Sequence, residues 1–294
     1  MPWYERTLDR ACSAQALGPH ARRYGWVLLA FLLAFLLSFT THVHANIAIP
    51  GSLTRTHYVD GHGTVEGSVV VINTSSEPQF VEVTLGDWEP GTGGGFLSPG
   101  SSPHSAARFI SPEEEVFLIP PNERRTWRYK IDVPDAADVA NASYWSMLFF
   151  EPVEDQTARE QQDDASEGFS IRTKTRFAVG VIVDVGRSEA PRIRFDNVDV
   201  GRDGDGSGDL SIGVDVLVDG PYVRSGSLRM QMIDQSSGEE VHASSPVPIR
   251  VYPSGPTARR FRVGDLPSGS YETLFVAEVG DDLYALRFDL DVGP

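Results

Sequence analysis

Apolar and polar residues alternate along most of this chain in short runs punctuated by Gly, Pro, Asn and Asp. In the first half the runs are LTRTHYV, TVEGSVVVIN, FVEVTLGDW, ARFI, EVFLI, RRTWRYKIDV, SYWSMLFF and SIRTKTRFAVGVIVDV. A second set follows RSEAP (187–191): RIRFDNVDV, DLSIGVDVLV, GSLRMQMID, VPIRVY, ARRFRV, SYETLFVAEV and DLYALRFDLDV. A period of two over so few residues marks half-buried strands, and no segment repeats its apolar residues convincingly at helical spacing. The pattern predicts an all-β protein of two sandwiches, roughly seven strands each, with RSEAP as the linker. Two stretches interrupt it. Residues 89–105, rich in Gly, Ser and Pro, predict a flexible loop, and the acidic residues 151–168 predict disorder.

One run breaks the alternation. As a strand, SYWSMLFF places Tyr144, Leu148 and Phe150 on one side and Trp145, Met147 and Phe149 on the other. The first face is expected to meet the facing sheet. The second needs cover from the second sandwich or from another protein, because three such side chains left wet cost solubility. Farther on, DLPSGSYE sets Leu266, Pro267 and Tyr271 at a strand-to-strand corner. A Tyr that bonds its hydroxyl back to the backbone there is a hallmark of immunoglobulin-like sandwiches. The first half holds a looser version, from Val133 and Pro134 to Tyr144. Both sandwiches are therefore expected to be immunoglobulin-like.

The first 45 residues stand apart. Arg22 and Arg23 precede the apolar run WVLLAFLLAFLLSF (26–39), which is too short to span a bilayer comfortably, and Val43-His44-Ala45 follows. This predicts a secretory signal over residues 1–45 cleaved before Asn46, then domains over 46–187 and 188–294, with no membrane span after cleavage; an uncleaved anchor is the alternative. The lone cysteine, Cys12, lies ahead of the apolar run, so the exported chain is expected to carry no disulfide. Net charge is −16, and removing the leader leaves 21 basic against 39 acidic side chains. That balance argues against a nucleic-acid partner. Only Lys130 and Lys174 are lysines.

The order of motifs in the first half resembles the periplasmic pilus-assembly chaperones of the chaperone–usher type, PapD-like proteins of two immunoglobulin-like domains. The matching pieces are TRTHYV, VVVINTSSEP, VEVTLGDW, FISPEEEVFLIPPNERRTWRYKI, SYWSMLFFEPVED and TKTRFAVGVIV, in the family's order. The resemblance covers roughly residues 53–185; the second half matches in architecture alone. It implies that two basic side chains in the cleft between domains hold the C-terminal carboxylate of a bound pilus subunit. Arg55 matches the first position, and Lys174 and Arg176 both fit the second. Arg172, Lys174 and Arg176 share one strand face, for which a carboxylate clamp and a rim of internal salt bridges are both explanations. One departure stands out. Where the family alternates large apolar residues to lend a strand to its subunit, this chain has QQDDASEGFSI, with only Phe169 and Ile171. Trp145, Met147 and Phe149 are then candidates for holding the client instead.

Catalytic patterns are not found. His57, Asp60 and His62 read as a solvated turn, and no zinc, P-loop or nucleophile-elbow motif stands out. DGDGSGD (203–209) echoes a calcium loop, but its twelfth position is Val214 and not Glu, so it reads as a Gly-rich hairpin. The sequence therefore predicts a non-enzymatic, cofactor-free, metal-free binding protein of the periplasm. Its expected partner is a secreted β-rich pilus or surface subunit, with an outer-membrane usher as a further candidate. A structural or adhesive cell-surface module is the alternative.

Overall fold

The structure, a computed structural model, describes residues 46–293 except 91–94, 154–174, 187–191 and 203–208. The signal segment, Arg172, Lys174 and the acidic stretch before them, the RSEAP linker and most of the calcium-like loop lie outside the described residues. The rest is all-β, as two immunoglobulin-like sandwiches, and holds no helix long and apolar enough to cross a membrane.

In the first sandwich one sheet orders β1 (Ile47–Ala48), β3 (Gly63–Asn73), β8 (Arg124–Val133) and β6 (Ile110–Pro112). The facing sheet runs β2 (Thr54–Val59), β10 (Phe177–Val185), β9 (Ser143–Val153) and β4 (Gln79–Trp88), with β5 (Phe96–Leu97) and β7 (Val116–Ile119) both against β4. Alternation decides what is buried. Trp127, Tyr129, Ile131 and Val133 of β8 meet Tyr144, Leu148 and Phe150 of β9 and Val179, Val181 and Val183 of β10. Full burial of each such side chain stabilises by roughly 1.5–3 kcal/mol. Asn73, which ends β3, is also buried; its Nδ2 donates to the carbonyls of Glu77, Ile119 and Pro120 and so ties the following turn to β7.

The first strand changes sheets. β1 pairs antiparallel with β3 (Ile47 opposite Asn73), the chain turns at Gly51 with φ 81°, and β2 joins the other sheet parallel to β10, Arg55 opposite Val181. A positive φ is a conformation glycine adopts without steric cost. This switch closes one long seam of the sandwich. Tyr129 lies over Gly67, where a Cβ would come within 2.2 Å of its ring, and its hydroxyl meets the His57 Nε2 of β2 at 2.9 Å. His57 thus points inward, not into the turn expected for it. Burial, then the nearby Arg55 charge, lower its pKa. Burial pushes the Tyr129 phenol up to about 12, against an opposing pull from Arg55.

The second sandwich sets β11 (Arg192–Arg202), β12 (Leu210–Asp219) and β16 (Thr257–Gly264) against β14 (Glu240–Ala243), β13 (Arg224–Asp234), β17 (Gly269–Val279) and β18 (Asp282–Val292), with β15 (Val247–Val251) also on β13. Ile212, Val214 and Val216 pack on Leu228, Met230 and Phe275. Here the first strand does not switch: β11 pairs with β12 from Arg192 to Arg202, broken by one irregularity near Asn197. The short strands β1, β5 and β14 have too few residues to show alternation, and the sequence does not announce them.

Both corners form. Tyr271 donates its hydroxyl to Pro267 O at 2.7 Å; Tyr144 donates to Ala140 O at 3.2 Å and accepts from Ala140 N–H at 2.9 Å. Replacing Tyr271 or Tyr144 by Phe strands a carbonyl and is expected to cost about 1–2 kcal/mol apiece. Urea titration should show a lower midpoint with an unchanged slope for each.

Candidate functional site

Three separate covers lie over the outer face of β9. Trp145, only 3% exposed, sits under the second sandwich in a cluster with Val223, Tyr252, Ile182 and Trp88. Its ring stacks on His104 at 4.6 Å, meets the Tyr252 ring at 5.0 Å, and its Nε1–H donates to Trp88 O at 2.8 Å. Phe149 is covered edge-on by Phe96 at 4.9 Å and by the Arg176 guanidinium at 5.1 Å. Met147 stays half-buried, flanked across the sheet by Gly180 of β10 and Gly86 of β4. Of the three residues expected to face a client, Trp145 and Phe149 are therefore spent inside the chain. Met147 keeps an open side.

Residues 95–105, expected to be a flexible loop, fold down instead. Asp87 is fully buried and accepts from Ser102 N–H at 3.1 Å, Ser105 Oγ at 2.7 Å and Ser146 Oγ at 2.8 Å. A buried carboxylate needs such donors to offset lost hydration, and the serines that suggested flexibility supply two of the three. The loop then adds backbone bonds, His104 O accepting from Trp145 N–H at 2.8 Å. The signal available in the sequence was Asp87 itself, an acid inside an apolar run.

The sandwiches meet through a turn at Gly220, φ 122°, that carries Pro221, Tyr222 and Val223 into the first one. Ser143 N–H donates to Pro221 O at 3.0 Å, Val223 N–H to Ser143 Oγ at 2.8 Å, and the Tyr222 hydroxyl to Val185 O at 2.9 Å. Ser143 Oγ in turn donates to Asp184. Burial raises the Asp184 pKa, opposed by the Ser143 bond and the Arg224 charge.

The expected basic clamp is not assembled among the described residues. Arg55 donates to the carbonyls of Ser52, Ser68 and Thr54 and reaches across the seam toward β3, away from the second sandwich. Arg176 lies five positions upstream of Val181, the residue opposite Arg55, so the register separates the two by roughly 16 Å along the strand. It pairs with Glu151 at 2.9 Å, the salt-bridge reading of that face. A cation at the cleft that the sequence did not single out is Arg250 of β15, which donates to Thr54 Oγ1 at 2.7 Å and to Ser225 Oγ at 3.2 Å. Thr54, Gly180 and Met147 form one row across the sheet beside it, with Leu53, half exposed, at the rim.

The Trp145→Ala variant should lose about 3–5 kcal/mol in chemical denaturation, as a large core truncation does. Asp184 supplies a pH test. Its raised pKa means that the folded chain binds more protons than the unfolded one, so its contribution to stability is present at low pH and lost as pH rises through the folded value. The gap in urea midpoint between wild type and Asp184→Asn should thus move in favour of the wild type as pH falls from 7 toward 4. A gap independent of pH would contradict the burial argument.

In comparisons with known proteins, no family model and no curated protein matches this chain. Solved structures similar to it include several fimbrial chaperones. The class 5 fimbriae chaperone CfaA is 11% identical, with 85% of this chain and 100% of that one covered and a TM-score of 0.42. A CsuC–CsuE chaperone–tip adhesion subunit complex from archaic Csu pili of Acinetobacter baumannii gives 11%, 83%, 98% and 0.42 for the same measures. The CupB2 chaperone of Pseudomonas aeruginosa gives 13%, 84%, 100% and 0.41.

Proposed function

We propose that this chain is an exported, periplasmic, non-enzymatic chaperone that holds a secreted β-rich pilus or surface subunit by taking one of its strands onto the open edge of β10. One observation carries this reading. β2 pairs with β10 only from Gly180 to Val185, because upstream of Thr54 the chain has crossed to the other sheet. Gly180 directs its N–H to Leu53 O at 2.9 Å, so the N–H of Ala178, two residues earlier, points to the same side, where no described strand meets it. A strand edge with unmet donors next to an apolar floor takes an extended peptide by main-chain hydrogen bonding, with side-chain pockets giving selectivity. Met147, Gly180 and Leu53 supply that floor, and Arg250 the cation for a chain-terminal carboxylate. Lys174, which the motif match offers for the second basic position, is a second candidate for that charge. Arg55 and Arg176 would have to release their present carbonyl and carboxylate partners to serve. An outer-membrane usher is a natural recipient of the held subunit.

The reading is tested by co-expressing the chain with candidate β-rich pilus or surface subunits and measuring retention on the purified chain. Ala178→Pro removes the outward N–H at an edge position where proline is tolerated, and should abolish retention. Arg250→Ala should weaken it about ten- to a hundredfold, the effect of losing one charge-assisted bond. Both variants should melt close to the wild type. Undiminished retention in both would reject strand addition at this edge.

A further inference from the structure

The seam that the first sandwich closes stays open in the second. β11 remains with β12, so no described strand pairs with the outer edge of β18, and β18 runs for eleven residues with its only partner, β17, on one side. Its register with β17 is unbroken from Gly269–Val292 to Val279–Asp282, with no bulge, and the strand contains no proline and no lysine. Tyr284, Leu286, Phe288, Leu290 and Val292 point toward the core and are only partly buried there. Long, flat edges with an apolar row are what folded proteins ordinarily blunt, since they template pairing with another chain. This one has neither bulge nor proline, and its only guards are the exposed charges Asp282, Arg287, Asp289 and Asp291.

From this we infer that β18 is a self-association edge, pairing antiparallel with β18 of a second copy about a two-fold axis through Phe288. Symmetry and charge select the copy and the register. An isologous antiparallel contact must place one residue opposite itself, because each outward-pointing backbone group has to meet another. Centring on Arg287 or Asp289 would oppose like charges. Centring on Phe288 puts Arg287 opposite the partner's Asp289 twice, Leu286 opposite the partner's Leu290, and Tyr284 opposite the partner's Val292. Every pair in that register is then apolar with apolar or charge with opposite charge, apart from Ala285 facing the partner's Asp291. Opposite charges across a strand pair stabilise it and like charges destabilise it. Arg287, which sits 3.5 Å from Glu272 and is 69% exposed at its side chain, has room to engage both acids. The net charge of −16 repels two copies at long range, but that repulsion is screened beyond about 10 Å at 0.1 M salt, whereas the contact pairs are not.

Sedimentation velocity of the purified chain over a range of concentrations, with melting measured for every variant, tests this. The wild type should show a reversible monomer–dimer equilibrium. Arg287→Asp and Asp289→Arg, each acting twice across the axis, should raise the dissociation constant about tenfold or more. The double variant R287D/D289R restores opposite charges in the same register and should return the dimer, with all three melting near the wild type. A wild type that stays monomeric up to about 100 μM, the top of the micromolar affinity range, would overturn the inference. So would a dimer indifferent to the single substitutions, or an edge that takes an unrelated strand but not its own copy.

Discussion

Strand β9 carries large side chains on both faces, and a sheet can bury only one of them against its own sandwich. The inner face is handled in the ordinary way by β8 and β10. The outer face has to be covered piece by piece, and the covers determine much of the architecture. Trp145 draws in the second sandwich, while Phe149 brings down β5 and Arg176. Met147, between two glycines, is left as the floor of a trough. The interdomain contact and the candidate site therefore trace to one strand's refusal to alternate polarity.

Arginine and acid are used in a characteristic way here. Two enclosed carboxylates, the buried Asp87 and the partly buried Asp184, accept from serine hydroxyls, with the Arg224 charge acting on Asp184 as well. Hydroxyls compensate a buried charge without bringing a second desolvated ion, which avoids part of the penalty that buried ion pairs incur. Two arginines supply donors to backbone carbonyls at strand edges, Arg55 to Ser68 O and Arg125 to Leu118 O. A planar fork of donors suits that role better than an ammonium does.

Much of the fold was legible because its signals are local. Alternation in RRTWRYKIDV or DLYALRFDLDV names the buried face directly, and the two corner tyrosines announce themselves by position. The two-sided character of SYWSMLFF showed that a cover was needed, though not which one. The site was less readable, because it depends on register between distant strands. Nothing local in TRTHYV tells that Arg55 will face the seam while Thr54 faces Arg250, some 196 residues away. Likewise, Arg176 matched a motif, but its Glu151 partner and the parallel alignment of β2 with β10 decide where it sits. Glycine and serine in the loop after β4 signalled mobility because the carboxylate that organises them lies outside the loop.

The sheet switch of the first strand also bears on how the chain acquires its shape. The β3–β8 and β4–β9 pairings join segments closer in sequence, but β2 finds its partner only in β10, with Arg55 opposite Val181. A contact spanning that much chain closes a large loop and forms late. During synthesis the amino-terminal end emerges first. β2 must therefore wait, unpaired, until about 126 further residues have followed it, the span from Arg55 to Val181. In that interval the valines of β10 that will become the wall of the core do not yet exist as a surface. The strand whose crossing leaves the edge of β10 open is thus also a late one to lock the sandwich, and until it docks the edge of β10 from Gly180 to Val185 is as bare as the stretch upstream of it.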